Sequence, residues 1–271
     1  MTARHRSATV SGMTERRSLA MSATIALGKR ALREAVRQPD ALLMTMFIPI
    51  FFLVVNTGQA AEIFPSASTE FLKGQGYGAF QLPITLLLAA SFGMAALFLV
   101  EEIEGGYFDK LRAIPIPRYA LVLGRLVAEA AKCVVIASLI VLIALAFGIT
   151  IASGLVGFVL LVALTALWGV VYAGFMQLIA LKSRSAAATN SGGLIFFPLL
   201  FLTPNLVPRD MLTKPMEVAA TLNPVTYLME AMRSLILDDL AWEKILPGFA
   251  VVAALGALML ALSVRTIQHY D

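Results

Sequence analysis

The 271 residues are 59% hydrophobic and only 14% charged, with a mean hydropathy of +0.84 and a net charge of +4. Soluble domains carry nearer a quarter charged residues, so the composition excludes a large soluble domain and leaves room for about six spans of roughly 20 apolar residues. A single cysteine, Cys133, excludes an internal disulfide, and two histidines near opposite ends, His5 and His269, make no metal site by themselves.

Residues 1–20 are rich in Arg, Ser and Thr and read as a disordered tail. Arg16-Arg17 is not a twin-arginine export signal, because no compact apolar region follows it. Residues 21–37 read as an amphipathic helix. Met21, Ile25, Leu32 and Val36 fall on one face, and Lys29, Arg30, Arg33 and Arg37 on the other. Such a helix lies in the membrane interface with its cations toward lipid phosphates. Pro39 then ends it.

A body of six spans is expected over residues 41–264. The spans fall at about 41–57 (broken by Pro49), 80–100 (with Pro83 in its first turn), 120–151, 155–181, 186–203 (kinked at Pro198) and 246–264. Six spans put both termini on one side. The N-terminal segment, the loop after the second span, Lys182, Arg184 and Arg265 hold about fifteen of the 21 basic residues. By the positive-inside rule both termini are cytosolic, and the small net charge records orientation in a bilayer, not nucleic-acid binding.

The outward loops are unequal. Residues 58–79 read as an ordinary surface loop and 152–154 as a minimal turn, while 204–245 is long and holds two short apolar stretches. Asn223 and Pro224 are a helix cap and first helical residue. Beyond them Val225, Leu228, Met229, Met232, Leu235 and Ile236 line one face, and Thr226, Glu230, Arg233 and Ser234 the other. This is an interfacial or re-entrant helix.

The inward loop at 101–118 alternates in charge through Glu101, Glu102, Glu104, Asp109, Lys110 and Arg112. Gly105-Gly106 allows a bend, and Pro115 and Pro117 stiffen the return to Arg118. Two readings stand side by side: a solvated helix laced with weak ion pairs, or a short helix that docks into a partner's groove. Entering the third span, Arg125, Glu129 and Lys132 share a helix face and form a polar triad, either a structural anchor or a substrate or proton site. Asn190, Gly192 and Gly193 open the fifth span with small and polar residues suited to close helix packing or to lining a path. The sequence holds no GxxxxGK[ST] loop, GxSxG elbow or HExxH pair, so catalysis is not expected here, nor a cofactor or metal bound by this chain.

Three stretches resemble the membrane (permease) subunit of type-2 ATP-binding-cassette exporters, in particular the daunorubicin/doxorubicin-resistance drug-exporter group. They are RQPDALLMTMFIP, EEIEGGYFDKLRAIPIPRYALVLGR and NPVTYLMEAMRSLIL. The resemblance implies an all-α integral membrane protein of the bacterial-type plasma (inner) membrane. It has six transmembrane helices, an elbow helix at 21–37, a cytosolic coupling helix at about 101–112 and an extracytoplasmic re-entrant region. Residues carried over to the coupling contact are Glu101, Glu102, Glu104, Gly105, Asp109, Lys110, Leu111, Arg112, Pro115, Pro117 and Arg118. Those carried over to the outer motif are Asn223, Pro224, Tyr227, Glu230 and Arg233. The implied partners are an ATPase subunit holding ATP and Mg, a second permease copy or paralogue across spans 1 and 5, and membrane lipids.

The expected function is therefore a non-enzymatic permease subunit of an ATP-driven exporter for a hydrophobic or amphiphilic cargo. The rivals are a secondary transporter, which would show charged or unwound sites at mid-bilayer, and a lipid-modifying membrane enzyme, for which the only polar cluster is the triad at Glu129.

Overall fold

The computed structural model describes residue 33 and residues 39–92, 95–112 and 118–269. The expected tail and the expected elbow helix lie outside these residues, except for Arg33, which is helical and exposed. Among the described residues the chain is helical and has no strand. In order the helices are α1 (Pro39–Ala60), α2 (Tyr77–Ser91), α3 (Ala95–Glu104), α4 (Tyr107–Arg112), α5 (Arg118–Ala146) and α6 (Gly154–Ser183). There follow α7 (Ala186–Gly193), α8 (Phe196–Phe201), α9 (Lys214–Leu222), α10 (Pro224–Leu237) and α11 (Trp242–Gln268).

Three helices, at Tyr119–Ala146, Gly154–Ser183 and Trp242–Gln268, are long and apolar enough to cross a membrane. At 1.5 Å per residue each reaches about 40 Å, against a hydrocarbon core of about 30 Å. The apolar helices at Thr45–Ala60, Tyr77–Ser91 and Ala186–Phe201 are shorter.

The core is built on α6. It packs against α2, α3, α5, α7, α10 and α11. A helix with neighbours on so many sides must be apolar all round, and GLVGFVLLVALTALWGVVYAGFMQLIALKS is. Its glycines let two neighbours in: a side chain at Gly169 would collide with Cys133 of α5, and one at Gly174 would lie 3.1 Å from Met259 Cβ of α11. The Trp168 indole Nε1 donates to Ser91 Oγ at 2.9 Å and ties α6 to the end of α2. Trp168→Phe removes that bond and trims the buried ring. A loss of about 0.5–1.5 kcal/mol is expected, read as a lower melting temperature in detergent.

Several boundaries differ from the sequence reading. Pro49 does not break the first span, because α1 runs through it. The second span is not continuous: α2 stops at Ser91, and Phe92 behind it is not helical. Ser91 Oγ donates to the Leu87 carbonyl, an interaction that competes with the backbone ladder. Because α2 starts at Tyr77, Pro83 is its seventh residue, where its missing N–H leaves the Ala79 carbonyl without its helical donor. The fifth span breaks after Gly193, ahead of Pro198, with Leu194 and Ile195 bonding back only three residues to Ser191 and Gly192. Glycine's weak helix preference outweighs proline there, since Pro198 sits in the first turn of α8.

Candidate functional site

At one end of the bundle α3 and α4 form a bent hairpin. The bend falls at Gly105-Gly106, where Gly106 has φ +67°, a conformation glycine enters at little cost. Glu101, Glu104 and Lys110 are exposed, and so is Tyr107. Phe108 is 2% exposed and pins α4 to the core. The side chains of Asp109, Leu111, Arg112 and Arg118 lie outside the described part of the structure, as do Pro115 and Pro117 entirely.

The structure divides the expected triad. Glu129 is 4% exposed and pairs with Lys132 at 2.6 Å, one turn along α5. Arg125 instead pairs with Glu102 of α3. Among the described residues Arg125 and Glu129 form no ion pair. The helix places them on one face, but α3 crosses close enough to supply a second carboxylate. Among the described residues the Glu102–Arg125 ion pair joins the hairpin to α5, and Leu99 and Val100 of α3 with Phe108 of α4 hold it to the core.

The opposite end lies about 30 Å away along α5. There Asn223 caps α10, its Oδ1 accepting from Val225 N at 3.0 Å, with Pro224 at the first helical position. Its Nδ2 also donates to the Leu199 carbonyl of α8. The face read as apolar is buried throughout. The face read as polar is largely buried too, since Thr226 and Ser234 are inaccessible and Arg233 is 8% exposed. The reason is that α2, α6 and α11 flank α10 while residues 204–209 fold across it. The helix expected as interfacial or re-entrant is thus packed into the bundle on both faces.

Arg233 is held by oxygen and by an aromatic face. Its Nη1 donates to the Pro204 carbonyl at 2.9 Å and its Nε to the Phe80 carbonyl at 3.3 Å, with the guanidinium carbon 3.4 Å from the Phe80 ring centre. Burial pulls its pKa down to about 9, with the Glu230 carboxylate and Tyr77 opposing, so the group stays charged at neutral pH. Glu230 is engaged elsewhere: Arg209 grips it with two bonds, Nη2–Oε2 at 2.7 Å and Nε–Oε1 at 3.0 Å. Arg209 also lies over the Tyr227 ring, and the Tyr227 hydroxyl donates to the Thr221 carbonyl. Arg209, Glu230 and Arg233 border a polar cleft of about 630 Å³.

Beside it is a cavity of different character. About 610 Å³ lies between Ile48, Phe52 and Asn56 of α1, Ile84, Thr85 and Leu88 of α2, and Phe197, Leu200 and Phe201 of α8. Residues Thr203, Asn205 and Leu206 close it on the cleft side. Its few polar groups are amides and hydroxyls, with no charged residue on its wall.

Of the span 5 residues, Asn190 is exposed and Gly192 packs on Ile179. A Cβ at Gly193 would lie 3.3 Å from the Tyr172 hydroxyl, so these glycines serve packing of α7 on α6. Sequence reading missed Phe108, and it missed Tyr77, Gln81 and Asn205, which meet at the cavity's end. Phe108 could have been found as the one aromatic after Tyr107 among charges. The other three meet only through the irregular segment after α8. Among the described residues no cluster of His, Cys, Asp and Glu could hold a metal ion.

A multi-pass helical membrane chain with a bent polar hairpin at one end and an apolar cavity near the other has the parts of a membrane transport subunit. A sequence model of the ABC-2 type transporter matches residues 22–237, and the chain belongs to that family of ATP-binding-cassette membrane proteins. It is also 23% identical over 256 residues to the daunorubicin resistance ABC transporter permease protein DrrB1 of Streptomyces coeruleorubidus. That alignment covers 93% of this chain and 88% of the other. Membership of that family makes this chain a membrane transport component.

Proposed function

We propose that this chain forms the export path for a hydrophobic or amphiphilic molecule and is driven by ATPase subunits docked on its α3–α4 hairpin. The observation that carries the reading is the apolar cavity, whose volume falls within the roughly 300–1,000 Å³ of sites for drug-sized ligands. Its uncharged wall suits an apolar body with a few hydrogen-bonding groups and offers no grip for a bare ion. The similarity to a protein named for daunorubicin resistance makes daunorubicin the first cargo to try.

In this reading α1, α2–α3, α5, α6, α7–α8 and α11 are the six spans, with both termini on the cytosolic side of a bacterial-type inner membrane. A second copy or a paralogue faces α1 and α8, which expose Phe47, Phe51, Val54 and Phe201. ATP and Mg sit on the ATPase partner. A push on α4 passes through Phe108 and through Glu102–Arg125 into α5, and α3 also touches α6 and α7. Displacing the hairpin therefore moves α7–α8, one wall of the cavity, against α2.

The test is to purify the tagged chain from its native membrane in mild detergent. An ATP-hydrolysing subunit is expected in stoichiometric amount. Glu101→Lys with Lys110→Glu should weaken its recovery about tenfold, equivalent to about 1.4 kcal/mol, with membrane insertion unchanged. These two exposed residues are the right probes, because Glu102 is also bonded to Arg125. A chain that purifies alone and still moves daunorubicin without ATP would overturn the proposal.

A further inference from the structure

We infer that residues 203–206 are the release gate between the apolar cavity and the outer polar cleft, latched by Tyr77, Gln81 and Arg233. The inference rests on the reading of the cavity as the cargo's path.

The two spaces share one thin wall. On α2, Phe80 borders the cleft and Ile84 borders the cavity, four residues apart, or about 6 Å along the helix axis. On the segment after α8, Asn205 and Leu206 border the cavity while Pro208 and Arg209 border the cleft. That segment has no helix of its own to hold it. Its carbonyls are held by side chains from the bundle instead. The Tyr77 hydroxyl donates to the Leu206 carbonyl at 2.7 Å. Gln81 Nε2 donates to the Asn205 carbonyl at 3.2 Å and to the Tyr77 hydroxyl at 2.8 Å. Arg233 adds its bonds to Pro204 and, at 3.5 Å, to Asn205.

Such bonds can be exchanged for others without unfolding a helix, so the segment can part from α2 while the bundle stays intact. The wall also carries two buried acceptors with no partner among the described residues, Gln81 Oε1 and Asn205 Oδ1. A sealed structural partition would pair them. A passage that water or the polar end of an amphiphile crosses gives them partners as it opens. Parting the segment joins an apolar chamber to a charged cleft, which is the order in which an amphiphile would leave lipid for water.

The experiment places a single reporter thiol at Thr85→Cys on the cavity wall, in full-length protein in intact cells depleted of ATP. A charged, membrane-impermeant maleimide is then added outside. Cys133 is buried, so the unmodified chain serves as the blank. Met211→Cys, at an exposed cleft position, is the outside control. Slow labelling of Thr85→Cys is expected with the latch intact, and about tenfold faster labelling with Tyr77→Phe and Gln81→Leu added. Tyr77→Phe alone deletes one hydroxyl and guards against misfolding; a rise of about threefold is expected from it. Unchanged rates in both latch variants overturn the inference. So does labelling of Thr85→Cys as fast as the control in the unaltered latch, or a Met211→Cys thiol that reacts only from inside. The readout needs neither ATPase nor cargo, so failure of the gate and failure of the export reading are told apart.

Discussion

Lys132→Met is expected to lower the melting temperature in detergent on the order of 10 °C, the largest effect of any single change near the hairpin end. Glu129 is nearly inaccessible, and its ion pair is with Lys132 at 2.6 Å. Removing the ammonium strands a carboxylate inside the bundle, which costs about 3–5 kcal/mol. Adding Glu129→Leu to the same chain should restore most of the loss, because a buried pair replaced by apolar groups of similar size is close to neutral. A Lys132→Met protein that melts within about 2 °C of the parent would mean that the Glu129–Lys132 pair does not anchor the fold. The double variant also separates the two roles open for the triad. An anchor predicts that transport returns with stability; a substrate or proton site predicts that stability returns and transport does not.

Gly248→Val should be almost as damaging, by a different physical route. A Cβ at Gly248 would lie 2.5 Å from Ala231 Cβ and 3.0 Å from the Tyr227 carbonyl oxygen, so α10 and α11 meet backbone to backbone. Neither neighbour is the flexible tip of a long side chain, and the helices themselves must separate. Overpacking of this kind costs about 1–3 kcal/mol, and a branched residue falls at the upper end. The displacement reaches further than the stability loss, because α10 carries both Glu230 and Arg233. Thermal melting and transport should therefore fall together. Gly58→Ala, where nothing lies within 4 Å, is the matched control and should be silent.

What could be read from the sequence followed local rules. The cap at Asn223 and Pro224 and the bend at Gly105-Gly106 each depend on a few neighbouring residues, and each stands where the reading put it. The membrane class and the family followed from composition and from stretches spread along the whole chain. Other features depend on what lies across the bundle. That Thr226, Arg233 and Ser234 fall on one side of α10 is legible as a polar helix face. Only the fold of residues 204–209 reveals that this side is covered. The Glu102–Arg125 pair joins α3 to α5, and nothing in the spacing of the residues singles it out from Arg125–Glu129. The cavity is a void between three helices, and a void has no residue signal of its own.

The turn between α5 and α6 carries a mechanical consequence. Ala152 N and Ser153 N donate to the carbonyls of Ile236 and Leu235, and Gln75 Nε2 donates to Ile236 as well. The last carbonyls of α10, which a helix end ordinarily leaves to water, are thus taken by the backbone of the α5–α6 turn and by the Gln75 side chain. That end of α10 is welded to the frame. A rigid post with one soft panel hung from it yields at the panel, so strain arriving from the far side of the membrane is concentrated on a few residues and not spread through the bundle.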